Sequence, residues 1–111
     1  PTSTVIYKAM IALKGGNAIV FSPHPGAKKC ILETVEIISR AACEAGCPKG
    51  AVSAISVPTM EATQALMKSE HTALILATGN SWQQRLFYFP CRVFPVFTST
   101  ACWVPETIIP V

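Results

Sequence analysis

Apolar and polar positions divide the first 79 residues into alternating helical and strand segments. Residues 2–14 predict a helix, because apolar side chains recur at helical spacing and the Gly-Gly-Asn sequence at 15–17 supplies an end. The predicted apolar stripe of this helix comprises Ile6, Ala9, Met10 and Leu13. Residues 18–21 are a short apolar run between turn residues, which predicts a buried strand.

Residues 26–45 carry the strongest helical pattern in the chain. One face is apolar and the other charged, as in a helix that packs one side on a core. The apolar stripe comprises Ile31, Val35, Ile38 and Ala42, and the charged side comprises Lys29, Glu33, Glu36, Arg40 and Glu44. Gly46 suits the position just after a helix, and Pro48 opposes continuation.

A second and a third strand follow, separated by a helix. Residues 51–57 and 72–77 predict the strands, and the helix between them runs from Pro58 to about Lys68 with its apolar side at Ala62, Leu66 and Met67. Strands that alternate with helices through short connections are typical of an α/β fold with a parallel sheet and right-handed crossovers. In such sheets, ligands bind at the carboxyl ends of the strands.

Residues 80–111 have a different composition. Seven of the nine aromatic residues lie after residue 79, and the segment contains Pro90, Pro95, Pro105 and Pro110. A strand near residues 92–97 fits the pattern, but the prolines argue against a central strand. We therefore divide the chain into a folded part, 1–79, and an irregular tail rich in aromatics and proline, 80–111.

Composition narrows the function classes. The chain has 111 residues, of which 50% are hydrophobic and 14% charged, so it fits one small globular domain rather than a disordered segment. A net charge of +3 without a dense basic patch argues against nucleic acid as a partner. No apolar run approaches the roughly 20 residues of a membrane span, and the N-terminus has no signal-peptide pattern.

The cysteines leave one further interpretation open. Their odd number and the absence of CxxC spacing fit free thiols in a reducing cytoplasm, and the five positions are Cys30, Cys43, Cys47, Cys91 and Cys102. Cys43 and Cys47 are four residues apart and would share one face of a helix. Metal or redox chemistry is the alternative.

The turn after the first strand carries the main candidate binding residues, Ser22, Pro23, His24 and Pro25. Lys28 and Lys29 follow where a helix is predicted to begin. A helix N-terminus is already positive, so lysines there are unfavourable unless an anion such as a pyrophosphate compensates. The alternative is a proline-rich turn with solvated lysines, since the two commonest phosphate-loop motifs are absent.

Three segments of the chain match a known family. They are PTSTVIYKAMIALKGGNAIVFSPHPGAKK, AACEAGCPKGAVSAISVPTMEATQALMK and TALILATG. They closely resemble the CoA-acylating aldehyde dehydrogenases, which include acetaldehyde dehydrogenase (acetylating), the ethanolamine-utilisation enzyme and the aldehyde half of aldehyde-alcohol dehydrogenases. The resemblance is unbroken over residues 1–79, and FSPHP is its most specific element because it replaces the Lys-Pro dipeptide of non-acylating members.

The resemblance implies that residues 1–79 are part of a Rossmann-like domain that binds NAD, with NADP as the alternative. The cofactor-binding residues it implies are Ser22, Pro23, His24, Pro25, Thr78 and Gly79. The first four would lie beside the adenosine ribose, and the last two would begin a Thr-Gly-Gly turn near the pyrophosphate. The intact family converts an aldehyde, CoA and NAD into an acyl-CoA and NADH. Its members are expected to be cytoplasmic homo-oligomers, with a bacterial microcompartment as an alternative location.

The sequence also departs from the family. Asn80 stands where a second glycine is expected, and Asn carries a Cβ that glycine lacks. The family's nucleophilic cysteine lies in an Ile-Cys-x-Ser-Glu-Gln context, which this chain does not contain. We therefore assign no catalytic residue, and we expect the chain to be a fragment that is inactive alone.

A shift of the reading frame would explain why residues 80–111 depart from the family pattern. Trp103 to Thr107 can be encoded as TGG-GTG-CCG-GAA-ACN, and reading two bases further on gives Gly-Ala-Gly-Asn, the turn the family has after Thr-Gly. We hypothesise that residues 80–111 are out of frame. A different class of function also stays open for the whole chain: a non-catalytic small domain that binds a nucleotide or packs against a partner.

Overall fold

The computed structural model describes residues 2–78 and two strand segments, 92–95 and 104–110. Its helices are α1 (Thr2–Lys14), α2 (Lys28–Glu44) and α3 (Met60–Lys68), and a 3₁₀ turn at Pro25–Ala27 precedes α2. Its strands are β1 (Asn17–Phe21), β2 (Val52–Ala54), β3 (Leu74–Thr78), β4 (Arg92–Pro95) and β5 (Val104–Pro110). None of the helices in this part of the chain is long and apolar enough to cross a membrane.

The strands form one sheet in the order β2-β1-β5-β3-β4. β1 is parallel to β2, and β3 is parallel to β4. β5 lies between β1 and β3 and is antiparallel to both. Because β1 and β3 are both antiparallel to β5, they run in the same direction. The predicted α/β fold, with parallel strands and flanking helices, is confirmed for these elements.

β4 and β5 lie in the segment that was expected to be irregular. β4 falls within the predicted 92–97 region and occupies an edge, where proline is tolerated. The expectation that prolines exclude a central strand is wrong for β5. The ladder with β1 uses residues 106–110 and the ladder with β3 uses residues 104–108, so Pro105 and Pro110 each belong to only one ladder. The centre of β5 is free of proline.

The other predicted elements are present with shifted ends. α2 begins two residues later than predicted because the 3₁₀ turn takes the first positions. β3 begins at Leu74 rather than residue 72, because the Thr72 hydroxyl donates to the Leu66 carbonyl at 2.6 Å and the Thr72 N–H donates to the Ser69 carbonyl. β2 is shorter than predicted, although the Ile55 N–H still donates to the Phe21 carbonyl at 2.9 Å.

The core lies where α1 and α2 cover β1 and β2. It comprises Val5, Ala9, Ala12, Ile19, Phe21, Ile31, Val35 and Val52. The predicted stripe of α2 is confirmed, since Ile31 and Val35 are buried and Ile38 packs against the cluster. At the end of α2, Gly46 has φ +97°, a left-handed conformation that suits glycine.

The predicted stripe of α1 is partly wrong. Ala9 is fully buried, but Ile6 and Met10 are 44% and 65% exposed. The helix instead buries the face that carries Val5, Lys8, Ala9 and Ala12. Apolar residues occur on all sides of α1, so hydrophobic periodicity does not select a face. The small side chains of the two alanines let α1 approach the core closely, and this packing determines which face of the helix is buried.

Two isoleucines of α2 provide a test of this core. Ile31 is fully buried and Ile37 is 53% exposed. Ile31→Ala should destabilise the chain by about 2–5 kcal/mol, because it removes buried methyl groups and leaves a cavity. Ile37→Ala makes the same chemical change on the same helix and should cost far less. Urea denaturation midpoints measure the difference, and equal shifts would show that the wrong face of α2 has been assigned to the core.

Candidate functional site

The carboxyl ends of β1, β2 and β3 meet at one edge of the sheet. Phe21 of β1 and Leu76 of β3 both pair with Glu106 of β5, so the two strands are level there. Ala54 of β2 pairs with Phe21 on the other side. One strand separates β1 from β3, which sets them about 10 Å apart, two strand spacings. Thr78 therefore reaches the edge from which the 22–25 turn leaves β1.

The 22–25 turn has an inner and an outer half. Ser22 and Pro23 are buried, whereas His24 and Pro25 are exposed. The Nδ1 atom of His24 accepts a hydrogen bond from the Gly26 N–H at 3.1 Å, and the His24 carbonyl accepts from the Ala27 N–H at 2.9 Å. Because Nδ1 is an acceptor, the neutral imidazole carries its proton on Nε2. His24 thus presents a hydrogen-bond donor at the surface of this edge.

The first turn of α2 has no acidic residue to compensate its positive end. Ala27 is the N-cap residue and provides no side-chain hydrogen bond, and no acidic residue lies in the first turn. Lys28 and Lys29 occupy that turn instead. The two lysines at a positive helix end therefore favour an anion at this position.

The start of α3 is the opposite case. The Thr59 hydroxyl oxygen accepts from the Ala62 N–H at 3.1 Å, and Glu61 lies in the first turn. This helix end is satisfied by its own side chains. The anion-accepting character of the edge therefore belongs to α2.

A buried hydroxyl pair lies behind the edge. The oxygens of Ser22 and Thr63 are 2.8 Å apart, and either can be the donor. Ser22 is 3% exposed and Thr63 is 6% exposed. The bond joins the end of β1 to the first turn of α3, and in this structure it occupies the Ser22 hydroxyl.

The predicted site residues are therefore divided between contact positions and buried positions. The 22–25 turn and Thr78 converge on one edge, while Gly79 and Asn80 lie outside the described residues. Sequence reasoning missed Thr63. Its spacing of four from Met67, which is 1% exposed, is the signal that places it on the inner face of α3.

Two other features lie apart from this edge. An open groove of ≈ 560 Å³ between α2 and β2 is lined by residues such as Arg40, Cys43 and Lys49, and none of the predicted site residues lines it. Cys30, Cys43 and Cys47 are free thiols. Among the residues that the structure describes, no group of three or more His, Cys, Asp or Glu side chains is arranged to hold a metal ion.

Comparison with known proteins identifies the family. The model of the aldehyde dehydrogenase family matches residues 1–86. The chain belongs to the aldehyde dehydrogenase family. The resemblance inferred from the sequence is thereby confirmed, and the FSPHP turn lies within the matched region of this aldehyde dehydrogenase chain.

Individual relatives support the same assignment. The bifunctional aldehyde-alcohol dehydrogenase of Escherichia coli K12 is 44% identical over 88 residues, which cover 79% of this chain and 10% of that protein. The propanal dehydrogenase (CoA-propanoylating) of Salmonella typhimurium is 39% identical, over 71% of this chain and 17% of that protein. The crystal structure of a probable aldehyde dehydrogenase from Listeria monocytogenes EGD-e is 56% identical, with a TM-score of 0.80, over 86% of this chain and 21% of that chain. This aldehyde dehydrogenase chain therefore spans between a tenth and about a fifth of the length of these relatives.

Charge reversal at two helix ends tests the anion-accepting character of α2. Lys28→Glu should stabilise the ligand-free chain by about 0.3–1 kcal/mol, because it replaces a cation with an anion at a positive helix end. Lys14→Glu makes the same change in the last turn of α1 and should destabilise it. Urea denaturation at low salt measures both, and both effects should shrink at high salt. Shifts in the same direction would contradict the dipole argument.

Proposed function

We propose that this edge binds the adenosine and phosphate groups of NAD, as part of a CoA-acylating aldehyde dehydrogenase. The observation that carries the proposal is the start of α2, which has two lysines and no acidic residue in its first turn and follows the exposed His24 after one 3₁₀ turn. Family membership makes a dinucleotide the anion to expect at the carboxyl ends of these strands. NADP carries one more phosphate and is the alternative cofactor.

The donor set of this edge fits such a cofactor. Nε2 of His24 is a donor for a ribose or phosphate oxygen, and Lys28 and Lys29 supply positive charge near it. Pro23 and Pro25 fix the backbone of the turn through their restricted φ. The full set of proposed cofactor-binding residues is Ser22, Pro23, His24, Pro25, Thr78 and Gly79.

The proposed reaction is that of the intact family: an aldehyde, CoA and NAD give an acyl-CoA and NADH. NAD, when bound, supplies the hydride acceptor. The thiolate nucleophile that this chemistry needs belongs to a sequence context that is absent from these 111 residues. We therefore propose that residues 1–79 contribute cofactor contacts and no catalytic group.

Assembly and location are proposed on the same basis. A relative from Salmonella typhimurium is named for CoA propanoylation and one from Escherichia coli for aldehyde and alcohol dehydrogenation. We propose that the intact protein is a cytoplasmic homo-oligomer with aldehyde and CoA as its substrates. The hypothesis that residues 80–111 are out of frame conflicts with the family match over residues 80–86, and we propose it only for the segment beyond that match. Sequencing the encoding locus with its flanks tests the last point.

A second candidate function is an interaction domain without catalysis. Its support is the outer face of α1, where Ile6, Tyr7, Met10 and Ile11 are 43–65% exposed. Apolar side chains gathered on one exposed helix face are typical of surfaces that another polypeptide covers. This candidate requires no cofactor affinity, so a binding measurement separates the two.

His24→Ala should weaken NAD binding with little effect on folding. The side chain is exposed, and the loss of one hydrogen bond costs about 0.5–1.5 kcal/mol. The control is His71→Ala, because His71 is also exposed but lies just after the end of α3, distant from the α2 start. Calorimetric titration of the purified chain with NAD and with ADP-ribose gives both affinities. Unchanged affinity in the His24 variant would refute the placement of the cofactor at this turn.

The purified chain should not oxidise acetaldehyde in the presence of NAD and CoA. The reason is the missing nucleophile. Without the cysteine thiolate that attacks the aldehyde, the thioester intermediate cannot form. NADH absorbance measures turnover, with a preparation lacking the protein as the control. Turnover that is abolished by replacing one of the five cysteines would overturn the prediction and would identify the nucleophile.

A further inference from the structure

We propose that Ser22 and Thr63 form a positioning pair that holds the first turn of α3 against the end of β1 and thereby shapes the cofactor edge. The inference rests on the proposed function, because it assigns a role to two residues at the proposed NAD-binding edge. It changes the role of Ser22 from a direct ligand contact to an indirect one. It gives Thr63, a residue outside the predicted site, a part in binding.

The geometry of the pair supports an internal role. The two hydroxyl oxygens are 2.8 Å apart, and both residues are more than nine-tenths buried. A buried hydroxyl needs a partner, and each of these has the other. The pair therefore places a specific hydrogen bond in the buried interior.

The pair connects two rigid segments. Pro23 follows Ser22 and restricts Ser22 to extended backbone, so the position of the Ser22 side chain is set by β1. Thr63 lies in the first turn of α3, and its N–H donates to the Thr59 carbonyl at 3.0 Å. The hydroxyl bond therefore relates the direction of the turn, which carries His24, to the start of α3.

The position of α3 explains why this bond would affect the geometry of the cofactor edge. α3 contacts β5, the strand that pairs with β1. The 22–25 turn, however, leaves β1. The hydrogen bond between Ser22 and Thr63 adds a direct polar link from the end of β1 to α3 beside that contact. Loss of the bond would let the two sides of the cofactor edge move apart.

Removal of one hydroxyl should affect binding through the other. Ser22→Ala leaves the Thr63 hydroxyl buried without its partner, and Thr63→Val does the same to Ser22 while preserving the side-chain shape. Each variant should weaken NAD and ADP-ribose binding about three- to tenfold, the range of one lost hydrogen bond. The double variant should bind no more weakly than either single one, because both substitutions break the same bond. Thr63→Ser keeps the hydroxyl and should stay within about twofold of the original affinity.

A matched control separates positioning from general weakening of the helix. Thr72 is 4% exposed, and its hydroxyl donates to the Leu66 carbonyl at the other end of α3. Thr72→Val removes an equally buried hydroxyl and should lower the urea midpoint without changing cofactor affinity. Calorimetric titration of the full chain, at a temperature where circular dichroism shows each variant folded, provides the affinities. Thr63→Ser and Thr63→Val can be compared even where Ser22→Ala does not fold.

The outcomes distinguish the two proposals. An original chain that binds neither NAD nor ADP-ribose contradicts the proposed function and overturns the pair with it. Binding that is weakened by His24→Ala but unchanged by Thr63→Val supports the proposed function and overturns the pair. A loss of affinity in Thr72→Val equal to that in Thr63→Val also overturns it, since the effect would then come from helix stability. Loss in Thr63→Val with recovery in Thr63→Ser supports the pair.

Discussion

The burial of β1 is the constraint on which the site depends. Ile19 and Phe21 are fully buried beneath the helices, and the strand is paired on both sides, with β2 and with β5. A strand fixed in this way cannot slip by one residue, because a slip would exchange its buried and outward side chains. The 22–25 turn therefore leaves the sheet at a set level and in a set direction. The packing of this core therefore fixes the positions of the proposed binding residues in the turn.

The edge combines a well-packed scaffold with an unfavourable charge arrangement. α3 follows the ordinary rule, with a threonine cap and an acidic first turn, whereas α2 places lysines at a positive end. Proteins violate such local rules mainly where function requires it. The contrast between two helix starts at the same edge is informative because both belong to one fold and face the same solvent. The sequence pattern around Lys28 alone favoured solvated lysines, and the structure adds that both lysines lie in the first turn of α2 with no acidic residue beside them.

Elements whose apolar residues recur with one clear period could be predicted from the sequence. Elements whose position depends on residues distant in the sequence could not. α2 has a narrow apolar stripe, so its buried face at Ile31 and Val35 follows from local spacing. α1 is apolar on several sides, and only its packing shows that Ala9 and Ala12 face inward while Met10 faces out. β5 was missed because its pairing with β1 and β3 is long-range. The Ser22–Thr63 bond spans 41 positions of sequence, which no local pattern reports.

The inner and outer halves of the 22–25 turn suggest how a short motif can serve both folding and binding. Each proline fixes the backbone next to a polar residue: Pro23 follows the buried Ser22, and Pro25 follows the exposed His24. The Ser22 hydroxyl is hydrogen-bonded to Thr63 and so attaches the turn to α3. The His24 side chain is exposed to solvent. A lysine in place of Ser22 could not form the same buried hydroxyl bond, because its charged amine needs solvent or a paired anion. The buried Ser22 therefore anchors the turn to α3, while His24 provides what the turn offers a ligand.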